Sequence, residues 1–232
     1  MNIAIILSGG VGSRFGGDIP KQYVDLGGQM VIIRSMRPFA ELQYVHNIII
    51  VADESGQERI EEELLREPQI SEKILGYASP GKNRQLSIYN GLKYIEELGL
   101  KDAVENVIIH DAARPFVSEK MIEECFEALN DHDGVMPVLP MNDTVYFSRT
   151  GTRVDELLNR NTIFAGQAPE AFNYKLYLKA NEKLLPDKIL EIKGSTEPAI
   201  LYGMNIAMIK GNPGNFKITT TEDFELAKQR IL

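Results

Sequence analysis

The sequence predicts an α/β fold built on a doubly wound, mostly parallel sheet. Three observations carry that expectation: short β-branched runs recur along the chain, helical-period segments separate them, and the first run opens directly into glycines. Strands covered by helices on both faces lose the alternation of apolar and polar residues, and the runs here are continuous in that way.

Strands are expected over residues 3–7, 48–51, 73–77 and 107–109. Residues 1–7 are apolar but lack a basic flank and run into glycines instead of a long apolar core, so they read as a first strand and not as a leader. A cytoplasmic enzyme is the expectation, since no apolar stretch is long enough to span a bilayer. Residues 57–66 form a helical segment with Ile60, Leu64 and Leu65, and residues 83–97 form another with Ile88, Leu92 and Ile95 at i, i+4 and i+7. A third, 119–129, holds the only cysteine, Cys125, which excludes an intramolecular disulfide, speaks against a thiol-based zinc site and reads as a buried structural thiol. Residues 143–154 look like two strands around a turn at Gly151, a protruding hairpin suited to a partner subunit. Near the end, Lys217 falls on a short expected strand, and Thr220 or Thr221 is placed to cap a last helix.

At 232 residues, without an internal repeat or a Pro/Gly-rich linker, the chain is expected to form one domain over 1–232. A net charge of −8 argues against a broad electrostatic grip on nucleic acid or on an anionic membrane, so any bound phosphate must be held locally.

Local phosphate chemistry begins at Ser8-Gly9-Gly10-Val11-Gly12-Ser13-Arg14, where missing side chains let backbone N–H groups approach an anion. A plain tight turn is the alternative. The loop lacks the Gly-Lys-Ser/Thr ending of a P-loop, and Phe15 stands where a dinucleotide fingerprint needs its last glycine. Asp53, after the second strand, is too distant for the usual ribose-binding acid, so an NAD(P)-dependent oxidoreductase is the weaker competitor. Arg14 within the loop and Lys21 just after it put two cations beside one cradle, as a departing pyrophosphate requires. The cluster Gly81-Lys82-Asn83-Arg84, with Ser87, opens a helix whose N–H groups suit a base or a phosphate, or else simply caps it. The fourth strand delivers His110-Asp111-Ala112-Ala113-Arg114, placing a carboxylate and a guanidinium at a strand end. Asp111 suits substrate hydroxyls or magnesium, while His110 reads as a packed residue.

Gly9-Gly10-Val11-Gly12-Ser13-Arg14, Pro20-Lys21-Gln22-Tyr23, His110-Asp111-Ala112-Ala113-Arg114-Pro115 and Asn215-Phe216-Lys217-Ile218-Thr219-Thr220, in this order, together resemble the polyol-phosphate cytidylyltransferases. That family includes enzymes of ribitol 5-phosphate and of 2-C-methyl-D-erythritol 4-phosphate. The resemblance implies a Rossmann-like nucleotidyltransferase fold of the nucleotide-diphospho-sugar transferase type. It also implies a reaction in which CTP and a polyol phosphate give a CDP-alcohol and pyrophosphate, with Mg2+ as cofactor. By match to the motifs, Leu7, Ser8, Gly9, Gly10 and Gly12 would enclose CTP, together with Gly81, Lys82, Asn83, Arg84, Ser87 and Ala112. Arg14 and Lys21 would stabilise the transition state, and Arg160 and Lys217 would hold the attacking phosphate. Asp111, Arg114 and Thr144 would meet substrate, with Asp111 also serving the metal and CTP. The hairpin, at about 140–160, corresponds to the family's dimerisation arm and implies a homodimer.

Two places depart from the family pattern. The family commonly has Gln-Thr-Pro-Gln where this chain has Gln167-Ala168-Pro169-Glu170, and Thr-Asp followed by a small residue where it has Gly194-Ser195-Thr196-Glu197-Pro198-Ala199. Both are expected near the acceptor pocket. Asp111-Ala112-Ala113-Arg114 resembles the methylerythritol branch, whereas Phe164-Ala165-Gly166-Gln167 and the glycine loop look more like the ribitol branch, towards which the reading leans.

Overall fold

A computed structural model describes residues 1–10, 15–16 and 19–231. In chain order its elements are β1 (Asn2–Leu7), α1 (Val31–Glu41), β2 (Asn47–Val51), α2 (Glu54–Leu64), α3 (Pro68–Ser71), β3 (Ile74–Ala78), α4 (Arg84–Glu97), β4 (Asn106–Asp111) and α5 (Glu119–Ala128). They continue with β5 (Gly134–Pro140), β6 (Val145–Phe147), β7 (Glu156–Leu158), β8 (Phe164–Gly166), β9 (Glu170–Asn173), α6 (Tyr174–Glu182), α7 (Glu197–Tyr202), β10 (Ile206–Lys210) and α8 (Thr221–Ile231).

The main sheet has the order β10-β5-β9-β4-β1-β2-β3, with β8 attached to β5. Its pairs are parallel except where β9 lies antiparallel between β4 and β5, and where β8 meets β5. From β1 the chain first builds outward through β2 and β3, then returns to the other side of β1 at β4. That reversal opens a crevice at the carboxyl ends of β1 and β4, where Leu7 and Asp111 are register partners.

The continuous apolar strands follow from helices on both faces. Ala4, Ile6, Ile48 and Ile50 pack towards Ile32, Met36 and Phe39 of α1, while Ile3, Ile5, Ile49 and Val51 pack towards Ile88, Leu92 and Ile95 of α4. Successive side chains serve opposite layers, and fully burying each isoleucine contributes about 1.5–3 kcal/mol. Gly91 lets α4 lie close to β1, since a Cβ there would come within 2.8 Å of Ile5 Cγ2.

Local chemistry moves several expected boundaries. The third strand starts at Ile74 because Lys73 is an anchor outside it, its Nζ donating to the carbonyls of Leu42 and Val45 at 2.7 Å each. α2 starts at Glu54, earlier than expected, because the Asp53 carboxylate accepts the Gly56 N–H at 2.8 Å and caps the helix. No strand forms at Lys217; residues 216–219 have no regular secondary structure, and Ile218 N–H donates to Ala113 O at 2.9 Å in place of a ladder. At the start of α8, Thr220 Oγ1 accepts from Asp223 N at 3.3 Å and Asp223 accepts from Thr219 N and Thr220 N, a reciprocal cap.

The hairpin exists, but its second strand is Glu156–Leu158, beyond the expected 143–154. Side chains close its long turn: Arg149 N–H donates to Asp155 Oδ2 at 2.7 Å and Gly151 N–H to Ser148 Oγ at 2.9 Å, with Gly151 at φ +75°. This closure occupies residues 148–155 and displaces the return strand. Tyr146, Phe147 and Leu157 are exposed on the hairpin. Cys125 is fully buried, and burial pushes its thiol up, in keeping with a structural role. Among the described residues, no helix is long and apolar enough to cross a membrane.

Candidate active site

The glycine loop leaves β1 against the start of α4. Ser8 N–H continues the sheet to Val51 O at 2.9 Å, and Ser8 Oγ donates to Tyr23 Oη at 2.9 Å. Gln22 Nε2 donates to Ser8 O at 2.7 Å and Gly10 O at 2.9 Å, tying the 3-10 turn Lys21–Tyr23, and with it Lys21, to the loop. A Cβ on Gly9 would collide with Pro80 Cβ, so only glycine permits this approach of the two loops. Gly12 and Arg14, both placed in the site by the sequence, lie outside the described residues.

Between the loops lies a cleft of about 460 Å3, walled by Leu7, Gly9 and Gly10 on one side and by residues 81–84 with Ser87 on the other. Asp111 and Lys217 complete it. The α4 wall is braced from within. Asn83 Oδ1 accepts Leu86 N–H at 2.8 Å as the N-cap, and Ser87 Oγ accepts Gly81 N–H while donating to Asn83 O, both at 2.9 Å. Asn83 and Ser87 thus shape the wall, Lys82 is exposed on it, and the N-terminal end of α4 favours an anion there.

Asp111 organises the charge. Its Oδ1 accepts from Arg84 Nε at 3.1 Å, and its Oδ2 meets Lys217 Nζ at 3.1 Å and Arg114 Nε at 3.4 Å. These cations hold the carboxyl well below the usual carboxylate range against the opposing effect of burial. Arg114 also donates from Nη1 to Asn215 O at 2.8 Å, which draws the Lys217 segment to β4. Ala112 N–H donates to Leu7 O at 3.1 Å, joining the ends of β1 and β4. Around one carboxylate the fold thereby gathers three cations, a surplus of positive charge facing a cleft of nucleotide size.

The sequence reading passed over Gln22 as an anchor and treated Glu170 and Ser195 only as departures. Glu170 is buried; Ser195 Oγ donates to its Oε2, Thr196 Oγ1 donates to its Oε1 at 3.2 Å, and Arg84 Nη2 lies 3.9 Å from Oε2. Burial pushes its carboxyl up to about 7, with Arg84 opposing. An acid inside the otherwise uncharged stretch 167–172 is the signal that could have exposed it, because buried acids require partners. His110 is a packed residue: it lies against Phe39, Nε2–H donates to Arg114 O at 3.1 Å, and burial pushes it down to about 4.

Thr144 and Arg160 do not join the cleft within one chain. Both are exposed around the hairpin, and Arg160 Nη1 donates to Asn142 O at 2.5 Å at its base. Asp53, the acid a dinucleotide reading would assign to a ribose, is committed to capping α2.

The family model described as "IspD: 2-C-methyl-D-erythritol 4-phosphate cytidylyltransferase" matches residues 2–232. A 2-C-methyl-D-erythritol 4-phosphate cytidylyltransferase of Thermosipho melanesiensis is 34% identical over 226 residues, covering 97% of this chain and 96% of its own. The bifunctional enzyme IspD/IspF of Maricaulis maris is 34% identical over 233 residues, covering 99% of this chain; the chain spans 57% of that relative's length. The crystal structure of 4-diphosphocytidyl-2C-methyl-D-erythritol synthase from Anaerococcus prevotii superposes with a TM-score of 0.84 at 26% identity, covering 99% of this chain and 95% of that one. These descriptions back the methylerythritol branch better than the ribitol branch towards which the sequence leans.

Proposed function

We propose that this chain, which belongs to the 2-C-methyl-D-erythritol 4-phosphate cytidylyltransferase family and is a CTP-dependent nucleotidyltransferase, transfers the cytidylyl group to 2-C-methyl-D-erythritol 4-phosphate. The observation that carries the reading is the cleft between Gly9-Gly10 and the start of α4, with Arg84, Arg114 and Lys217 around Asp111.

In this reaction an oxygen of the acceptor phosphate attacks the α-phosphorus of CTP. The bond from that phosphorus to the bridging oxygen breaks, and pyrophosphate leaves with the electron pair. A phosphate dianion is already a nucleophile at neutral pH, so no general base is needed; positioning and charge compensation carry the step. Gly9, Gly10 and the α4 wall would enclose the nucleotide, Lys217 would hold the attacking phosphate, and Lys21, with Arg14, would offset the charge growing towards pyrophosphate.

The residues present fit a Mg2+ ion carried largely by the triphosphate. Among the described residues no group of three or more His, Cys, Asp or Glu is placed to hold a metal, and Asp111 is the only carboxylate lining the cleft. Magnesium takes one or two carboxylates and keeps phosphate oxygens and waters, and Oδ1 of Asp111 retains acceptor capacity beside its single hydrogen bond from Arg84. Asp111 would hold the ion, which when bound neutralises phosphate charge. The hairpin would pair two subunits and bring Thr144 and Arg160 to the partner's cleft, the arrangement that the family resemblance implies.

Pyrophosphate release from CTP and Mg2+ tests the reading, with 2-C-methyl-D-erythritol 4-phosphate and ribitol 5-phosphate offered separately. Turnover with the methylerythritol substrate is expected. Turnover with ribitol 5-phosphate alone would overturn the acceptor, and silence with both would overturn the reaction.

A further inference from the structure

The two departures from the family pattern, distant in sequence, touch each other in the fold. Glu170 opens β9, and Ser195 and Thr196 precede α7; both hydroxyls donate to the Glu170 carboxylate. Ser195 Oγ also accepts from Arg84 Nη1 at 2.6 Å, and Tyr177 Oη donates to Ser195 O at 2.7 Å. Gln85 Nε2, on the helix that carries Arg84, donates to Tyr177 Oη at 3.1 Å and Asn181 Oδ1 at 2.6 Å. Arg84 is therefore gripped on two sides, by Asp111 at the cleft and by the Glu170–Ser195 pair behind it.

Charge explains why Glu170 and Arg84 belong together. Thr196 faces the Glu170 carboxylate, while Glu197, the other acid nearby, accepts the Lys193 N–H at 2.8 Å. A guanidinium packed against Asp111 requires its remaining N–H groups to meet acceptors, and a neutral amide at 170 would leave the cluster one anion short.

We propose that Glu170 is a positioning residue that fixes Arg84 at the nucleotide cleft through Ser195. The consequence for the cleft rests on the cytidylyltransferase reading; the consequence for Arg84 itself does not. The nucleotide should feel the loss of Glu170 in binding, because Arg84 lines the cleft while Glu170 stands behind it.

The test compares Glu170→Gln and Ser195→Ala with the parent chain. Two measurements are made: water exchange of the Arg84 Nε–H proton by 15N NMR without ligand, and KM and kcat for CTP. Glu170→Gln and Ser195→Ala should speed Arg84 proton exchange and raise KM about tenfold, with kcat held within about twofold. Unchanged exchange and KM in folded Glu170→Gln and Ser195→Ala would overturn the positioning role, as would a fall in kcat and thermal stability at constant KM. If no acceptor yields pyrophosphate with the parent chain, the reaction reading falls, and Arg84 proton exchange alone still decides the proposal.

Discussion

Asp111→Asn should destabilise the free protein and make its stability depend on bound anion. The substitution keeps the side-chain shape but removes the only carboxylate among the described residues lining the cleft, leaving Arg84, Arg114 and Lys217 around a neutral amide. Removing one partner of a buried pair costs about 3–5 kcal/mol. Arg114 and Asp111 are 13% and 9% exposed, so their contact is screened little, but it is long at 3.4 Å. Arg84 and Lys217 are each 35% exposed, so water screens their share. The lower end therefore applies, about 3 kcal/mol, which for a protein of this size lowers Tm by about 6–12 °C. Thermal unfolding at low salt, with and without pyrophosphate or CTP, provides the assay. The three cations left without the Asp111 charge should make added anion stabilise the variant more than the parent, since ligand that binds only the folded state raises stability by an amount that grows with the logarithm of its concentration over its Kd. A Tm within about 2 °C of the parent, or a fall that anions relieve no better than in the parent, would show that Asp111 does not balance this charge.

Two further outcomes follow from the same geometry. A Cβ at Gly81 would lie 2.6 Å from Leu86 Cβ and 2.7 Å from the Leu86 backbone carbon; Gly81→Ala should cost about 1–3 kcal/mol and raise KM for CTP, and an unchanged melt with unchanged KM would refute the close packing. His110, pushed down to about 4 from an unfolded value near 6.5, contributes stability that is present above pH 6.5 and lost as pH falls towards 4. Glu170, pushed up to about 7, acts in the opposite sense, its share being lost as pH rises through that value. Urea unfolding of the parent and His110→Phe between pH 7 and 4 should show a shallower loss in the variant, and equal slopes would contradict the burial of a neutral imidazole.

The sequence by itself determined the scaffold. Continuous isoleucine and valine runs with helical segments between them specify strands buried on both faces, because only layers on either side can cover successive side chains that point in opposite directions. The end of β1, the start of α4 and the Asp111 motif were likewise legible, since strand ends, glycines and helix caps carry local chemistry. Tertiary structure alone decided the rest. The antiparallel insertion of β9 depends on pairing with β4 and β5, distant segments that no local pattern specifies. The return strand of the hairpin was displaced because Ser148 and Asp155 close the turn with side-chain bonds instead of a short glycine turn. Lys217 reaches Asp111 from an irregular segment drawn in through Arg114 and Asn215, and the partnership of Glu170 with Ser195 joins positions 25 residues apart in the chain. Charge pairs of this kind are set by where the folded backbone places their ends, so spacing in the sequence identifies the residues but not the company they keep.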